Sequence, residues 1–174
     1  EMALKYLIPL IRLHEGGGGS VTGSGGSSNK PQIPNSEPVF SKNRFQTLAE
    51  CMGLIPVAAA ALGPVAGLPA ARLVSSHFSV MTKNAQVLIA GPAVVKRALG
   101  VDVSKEDLGG PDVHLRSGVV NNLAENEEDA LDQIKTFLSF LPDNYRQLPP
   151  SVSSKDKTNR QEEELLSIIP KNRR

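Results

Sequence analysis

The 174-residue chain carries 19 Lys and Arg against 18 Asp and Glu, a net charge of +1, with 40% hydrophobic and 4% aromatic residues. Balanced charge and the absence of Trp exclude the basic, base-stacking surface of a nucleic-acid binder, and no apolar run is long enough to predict a membrane span. Its single cysteine, Cys51, can neither close an internal disulfide nor fill a cysteine-rich metal site, so a reducing compartment is the default.

In chain order, residues 2–7 read as a helix that begins without an initiating Met or a cap, which predicts a fragment. Ile8 to Leu13 read as a buried strand. Residues 14–38 form a Gly, Ser and Pro-rich loop whose composition favours a flexible linker, although a Gly turn leaving a buried strand also suits a ligand site. Phe45, Leu48, Ala49 and Met52 recur at helical spacing, with Gly53 as the stop. LIPVAAAAL (54–62) reads as a buried strand, although its alanines also suit a helix, GPVAG (63–67) as a turn, and LPAARLVSS (68–76) as a short helix with Pro69 near its start. FSVMT (78–82) and AQVLIAG (85–91) read as strands, GPAVVKRALG (91–100) as a helix and SKEDLGG (104–110) as a capped helical turn. NEEDALDQIKTFLSFLP (126–142) is the clearest helix. Asn126 caps it with Asp129 three residues on, and Ala130, Ile134, Phe137, Leu138 and Leu141 form the apolar stripe. The remainder is a polar linker over 149–161 and a short helix, EEELLSIIP.

Alternation of strand, turn and helix predicts an α/β fold. Two Gly turns, HEGGGG and GPVAG, each follow a buried strand and lead toward free backbone N–H groups, which suit a phosphate or a developing oxyanion. Neither G-x-G-x-x-G nor G-x-x-x-x-G-K-[ST] occurs, so oxyanion stabilisation is the sharper reading and a tight packing turn the plainer one. Side-chain chemistry is thin. His14, His77 and His114 lack the spacing of metal ligands. Cys51 is expected to pack rather than react, and Lys96 and Arg97 to be solvated helix charges. Among the residues of the two Gly turns, Glu15 alone is acidic.

LGPVAGLPAARLVSSHFSVM, LIAGPAVVKRALG, KEDLGGPDVHLRSGVV and ENEEDALDQIKTFLSFLP resemble, in order and spacing, the carboxyltransferase (beta) subunit of biotin-dependent acyl-CoA carboxylases of the propionyl-CoA and methylcrotonoyl-CoA type. RLHEGGGGS resembles the Gly-rich loop earlier in the same domain. The resemblance implies a crotonase (ClpP-like) fold of stacked β-β-α units, incomplete at its N-terminal end. Residues 1–148 would be a partial first carboxyltransferase domain, and 149–174 a linker to a second domain that is absent.

The implied chemistry moves a carboxyl group from carboxybiotin to the α-carbon of an acyl-CoA through an enolate, with biotin carried by a partner alpha subunit and no cofactor bound covalently. The family pattern places the enolate oxyanion hole at the N–H groups of Gly67 and Leu68, with Gly17, Gly18, Gly63 and Ala66 lining the pocket. Where the family has a second glycine, this chain has Leu68, whose β-carbon would penalise a positive φ. Homo-oligomeric beta subunits are implied, without nucleic acid or membrane, in the mitochondrial matrix of a eukaryote or the cytoplasm of a bacterium. In the family the active site is completed by the second domain of a partner subunit, so this chain alone is expected to lack turnover. A crotonase-fold decarboxylase or hydratase, or a nonfunctional truncation, is the alternative.

Overall fold

A computed structural model describes residues 1–16 and 44–169. The run of alanines in Val57–Ala66 forms the central strand, β2, because small side chains let helices approach the sheet closely on both faces. The parallel order around it is β1 (Leu10–Gly16), β2, β3 (Phe78–Thr82) and β5 (Asn122–Ala124), with β4 (Gln86–Leu88) pairing the far end of β2. The helices are α1 (Met2–Tyr6), α2 (Arg44–Leu54), α3 (Leu68–Val74), α4 (Pro92–Leu99), α5 (Lys105–Gly109), α6 (Pro111–Ser117) and α7 (Glu127–Ser139), followed by a 3-10 turn at Glu163–Ser167.

Period-2 alternation along β2 feeds two cores. Ala59, Ala61 and Val65 pack with Ala70 and Leu73 of α3 and with Met81. Ala58 and Ala60 pack with Val80, Ala124 and the α7 stripe of Ala130 and Ile134, flanked by Phe137 and Leu138. Phe78 and Phe137 stack with ring centroids 4.9 Å apart. A third cluster holds Cys51, Ile55 and Val57. Cys51 is a packing residue, only 5% exposed.

The helix caps follow the expected chemistry. The Ser104 hydroxyl accepts from Asp107 N–H and the Asn126 side chain from Asp129 N–H, both at helix starts. Three readings change, and two elements are added. The first strand runs from Leu10 and is not buried, with Ile11 45% and Leu13 52% exposed on its outer side. Residues 63–66 are not a turn: β2 runs on through Ala66, because Pro64, Val65 and Ala66 find partners at Gln86, Val87 and Leu88. The strand expected over 85–91 ends at Leu88, and Ile89 is 78% exposed. Helix α6, with Pro111 at its start and Gly118 in the left-handed C-cap, and the three-residue strand β5 complete the architecture.

Candidate functional site

Parallel pairing brings the ends of β1 and β2 together. The ladder runs in step from Leu10↔Val57 to His14↔Ala61, then jumps to Gly16↔Val65, so β2 carries two extra residues across that interval. Gly63 lies in the irregular stretch and is buried. A Cβ there would meet Glu15 Cγ at 3.0 Å and Oε1 at 3.2 Å. The part Gly63 plays is therefore steric, since its missing side chain makes room for the Glu15 carboxylate.

Ala66 is half-buried and pairs Leu88. The chain then turns sharply at Gly67, with φ 68° and ψ −132°, a conformation open to glycine and costly for any residue with a Cβ. Leu68 opens α3 in helical backbone, so the strain expected at Leu68 falls on Gly67 instead. The Gly67 N–H is also not the free donor that was expected. It donates to Leu88 O at 2.8 Å, which fixes the turn against β4, while Gly67 O accepts from Ala71 N–H. Leu68 N–H sits at the first helical position, where no intrahelical acceptor exists. Gly16, at φ 72°, opens the neighbouring Gly-rich segment two ladder steps from this turn. Gly17 and Gly18 lie outside the described residues.

On the α3 side of β1 lie Arg12 and His14. The Arg12 guanidinium donates to Arg72 O at 3.0 Å and to Ser75 O at 3.1 Å, both at the C-terminal end of α3. Burial pushes the His14 imidazole below its ordinary pKa, and the charges of Arg12 and Arg72 push it the same way. His14 Nε2 is buried without a hydrogen-bond partner among the described residues. Sequence reading passed over Arg12. The available signal was a cation inside the apolar run IPLIRL, which a buried strand tolerates only where the charge meets an acceptor.

An apolar cavity of about 700 Å³ adjoins the turn, lined by Ala70 and Val74 of α3, by Val87 and Leu88, and by His114 and Val119. His114 Nε2 is 2.6 Å from Val87 O. Lys96 is exposed and pairs with Asp102 at 2.8 Å, as a solvated helix charge does. Among the described residues no cluster of His, Cys, Asp and Glu is arranged to hold a metal ion, and no helix is long and apolar enough to cross a membrane. Chemically, the arrangement offers backbone donors, a carboxylate at Glu15 and apolar surface.

Comparison with known proteins adds the family. The carboxyl transferase domain matches residues 18–174. The chain is 33% identical to the methylmalonyl-CoA decarboxylase alpha subunit of Veillonella parvula over 99% of its length and 32% of that protein's. It is 30% identical to the propionyl-CoA carboxylase carboxyltransferase subunit of Haloferax mediterranei, over 98% of its length and 31% of that protein's. It thus spans about a third of the length of these relatives. Among solved structures, transcarboxylase 12S with methylmalonyl-CoA and methylmalonic acid bound superposes with a TM-score of 0.67 at 26% identity, covering 97% of this chain and 31% of that one. The α/β architecture is that of the crotonase-fold carboxyltransferases.

Proposed function

Because the chain belongs to the carboxyl transferase domain family, we propose that it forms part of an enzyme that moves a carboxyl group between carboxybiotin and the α-carbon of an acyl-CoA. The observation that supports this reading is the sharp turn at Gly67 and Leu68, at the end of a buried parallel strand and beside Gly16. Carboxybiotin, delivered by a biotin-carrying alpha subunit to a homo-oligomer of beta subunits, supplies the carboxyl group. No residue of this chain is assigned to hold it. On this reading residues 1–148 belong to a first domain and 149–174 lead toward a second.

The residues of this chain act on the thioester. Its oxygen lies against Leu68 N–H, a donor already oriented before the reaction starts, and gains negative charge as the α-proton leaves. Such a donor stabilises the enolate more than the ground-state carbonyl, and losing one costs about a hundredfold or more in rate. The Gly67 N–H holds the turn in place through Leu88 O rather than binding the oxygen itself. Gly17 and Gly18, outside the described residues, are expected to line the same pocket, and Gly63 and Ala66 shape the strand end beside it. A second reading, decarboxylation of a carboxylated acyl-CoA, is favoured by the 33% identity to the Veillonella parvula subunit. It uses the same enolate and the same donor.

Leu68→Pro tests the placement. Proline is well suited to the first helical position and removes the N–H while preserving α3. Titration calorimetry with a keto-thioether analogue of propionyl-CoA, in which a methylene separates the sulfur from a retained carbonyl, is expected to show affinity at least tenfold weaker than for the parent chain, with an unchanged far-ultraviolet circular dichroism spectrum. Equal affinity in the two proteins would overturn the assignment of Leu68.

A further inference from the structure

We propose that Arg12 is a positioning residue that ties α3 to β1 and so sets the distance between the Gly16 turn and the Gly67–Leu68 turn. The proposal rests on the reading of that turn given above. Its basis is an accounting of the carbonyls that α3 leaves over at its C-terminal end. Ala71 O accepts from both the backbone N–H and the hydroxyl of Ser75. Leu73 O accepts from the Ser76 hydroxyl. The two nitrogens at the tip of the Arg12 guanidinium then take Arg72 O and Ser75 O, at 3.0 and 3.1 Å.

A single planar group thus bridges two carbonyls three residues apart in sequence, which the fork geometry of arginine allows and a lysine ammonium does not reproduce. The site is costly for a cation. Burial lowers the Arg12 pKa below its ordinary value, and Arg72 acts in the same direction, with Cys51 opposing. Arg12 Nε is buried without a partner among the described residues. The carbonyls at the end of α3 carry the negative pole of that segment and offset part of the cost.

Topology turns this contact into a constraint on the site. Arg12 pairs with Ala59, and four residues later Gly16 pairs with Val65, two residues before Gly67. The path from Arg12 along β1 to Gly16, across to Val65, through Gly67 and down α3 to Ser75 is closed directly by the guanidinium, next to the anchor formed where His77 N–H donates to Val57 O. Without that tie the end of α3 loses its direct hydrogen bonds to β1, and the α3 side of the Gly67 turn gains freedom relative to Gly16, which the Gly16↔Val65 pair restrains only from the strand side.

Arg12→Gln and Arg12→Lys in the 174-residue chain test this with two readouts. The first is amide hydrogen exchange at Gly67, compared with Ile134 on the opposite face. Both variants are expected to accelerate exchange at Gly67 by tenfold or more while Ile134 changes by less than threefold. Equal acceleration at the two amides, or none at either, would show a general structural role and overturn the proposal. The second readout is affinity for the propionyl-CoA keto-thioether, expected to fall at least tenfold in both variants. A lysine variant that binds like the parent would also overturn it. Should the parent chain itself fail to bind the thioether, the assignment of the turn falls, and hydrogen exchange still decides the role of Arg12.

Discussion

The two faces of the sheet are built by different rules. On the α7 face everything agrees locally. Asn126 caps the helix, and the Asp129 carboxylate answers by accepting from Glu125 N–H at 2.8 Å. Ala130 and Ile134 are fully buried against Ala58, Ala60 and Val80. On the α3 face a comparably packed core carries three local exceptions. Gly67 adopts a backbone costly for other residues, a cation is half-buried at Arg12, and His14 is held with a nitrogen unpartnered among the described residues. A sequence consistent at every level on one face and inconsistent on the other places its specific chemistry on the second.

The sharpest way to break this division is Ile134→Ala. If the α7 face is scaffold alone, removing this buried side chain costs about 2–5 kcal/mol of stability from lost transfer energy and the cavity left behind. Urea denaturation followed by circular dichroism measures the loss. The fraction that remains folded is expected to bind the propionyl-CoA keto-thioether with parent affinity. A weakened affinity would show that the two faces are coupled and that the contrast between them is false.

Legibility in the sequence follows the same division. Helix α7 was readable because a cap and a 3.6-residue stripe coincide, and β2 because an uninterrupted apolar run has few other uses in an α/β fold. The end of β2 was misread because Gly63 and Pro64 are local turn signals, and only the presence of β4 alongside overrules them. Strand β5 is three residues long and begins with exposed Asn122, so no periodicity could announce it. Helix α6 was announced by Pro111 and Gly118, signals that the neighbouring glycines drew attention from. The turn proposed to hold the thioester oxygen was singled out by resemblance, but which N–H is free depends on Leu88 O reaching Gly67. That contact joins residues far apart in sequence and has no local signature.

Gly67→Ala sharpens the comparison at intermediate scale. A Cβ at φ 68° costs about 1–3 kcal/mol, less than the α7 cavity. Its effect on function is expected to be larger, because relaxing the turn displaces Leu68 N–H. Thermal denaturation and thioether titration on one preparation measure both, and the predicted signature is a modest fall in melting temperature with at least a tenfold fall in affinity. For Ile134→Ala the ranking is reversed, with a large loss of stability and none of affinity. If Gly67→Ala shows that same pattern, the turn is a packing device.

The smallest expected effect is on pH dependence, and it too separates the faces. His14 has a lowered pKa in the folded chain, first through burial and then through the charges of Arg12 on its own strand and Arg72 on α3. A depressed imidazole is neutral in the fold and takes up its proton more readily in the unfolded chain, near pH 6.5. The unfolded state therefore binds more protons below that pH, and stability must fall as pH falls. The contribution of His14 is fully present above about pH 6.5 and declines below it. Asp129 on α7 behaves differently. Hydrogen bonds from Glu125 N–H and then Gln133 hold its carboxyl below the ordinary value of 3.8, so its contribution declines only as pH falls below that value. Urea midpoints measured from pH 8 to pH 4.5 thus isolate the α3 face. The parent chain is expected to lose stability below pH 6.5 more steeply than His14→Gln, in which no imidazole titrates at this position. Parallel curves for the two proteins would mean that His14 carries no electrostatic strain, and the contrast between the faces would then rest on Gly67 and Arg12 alone.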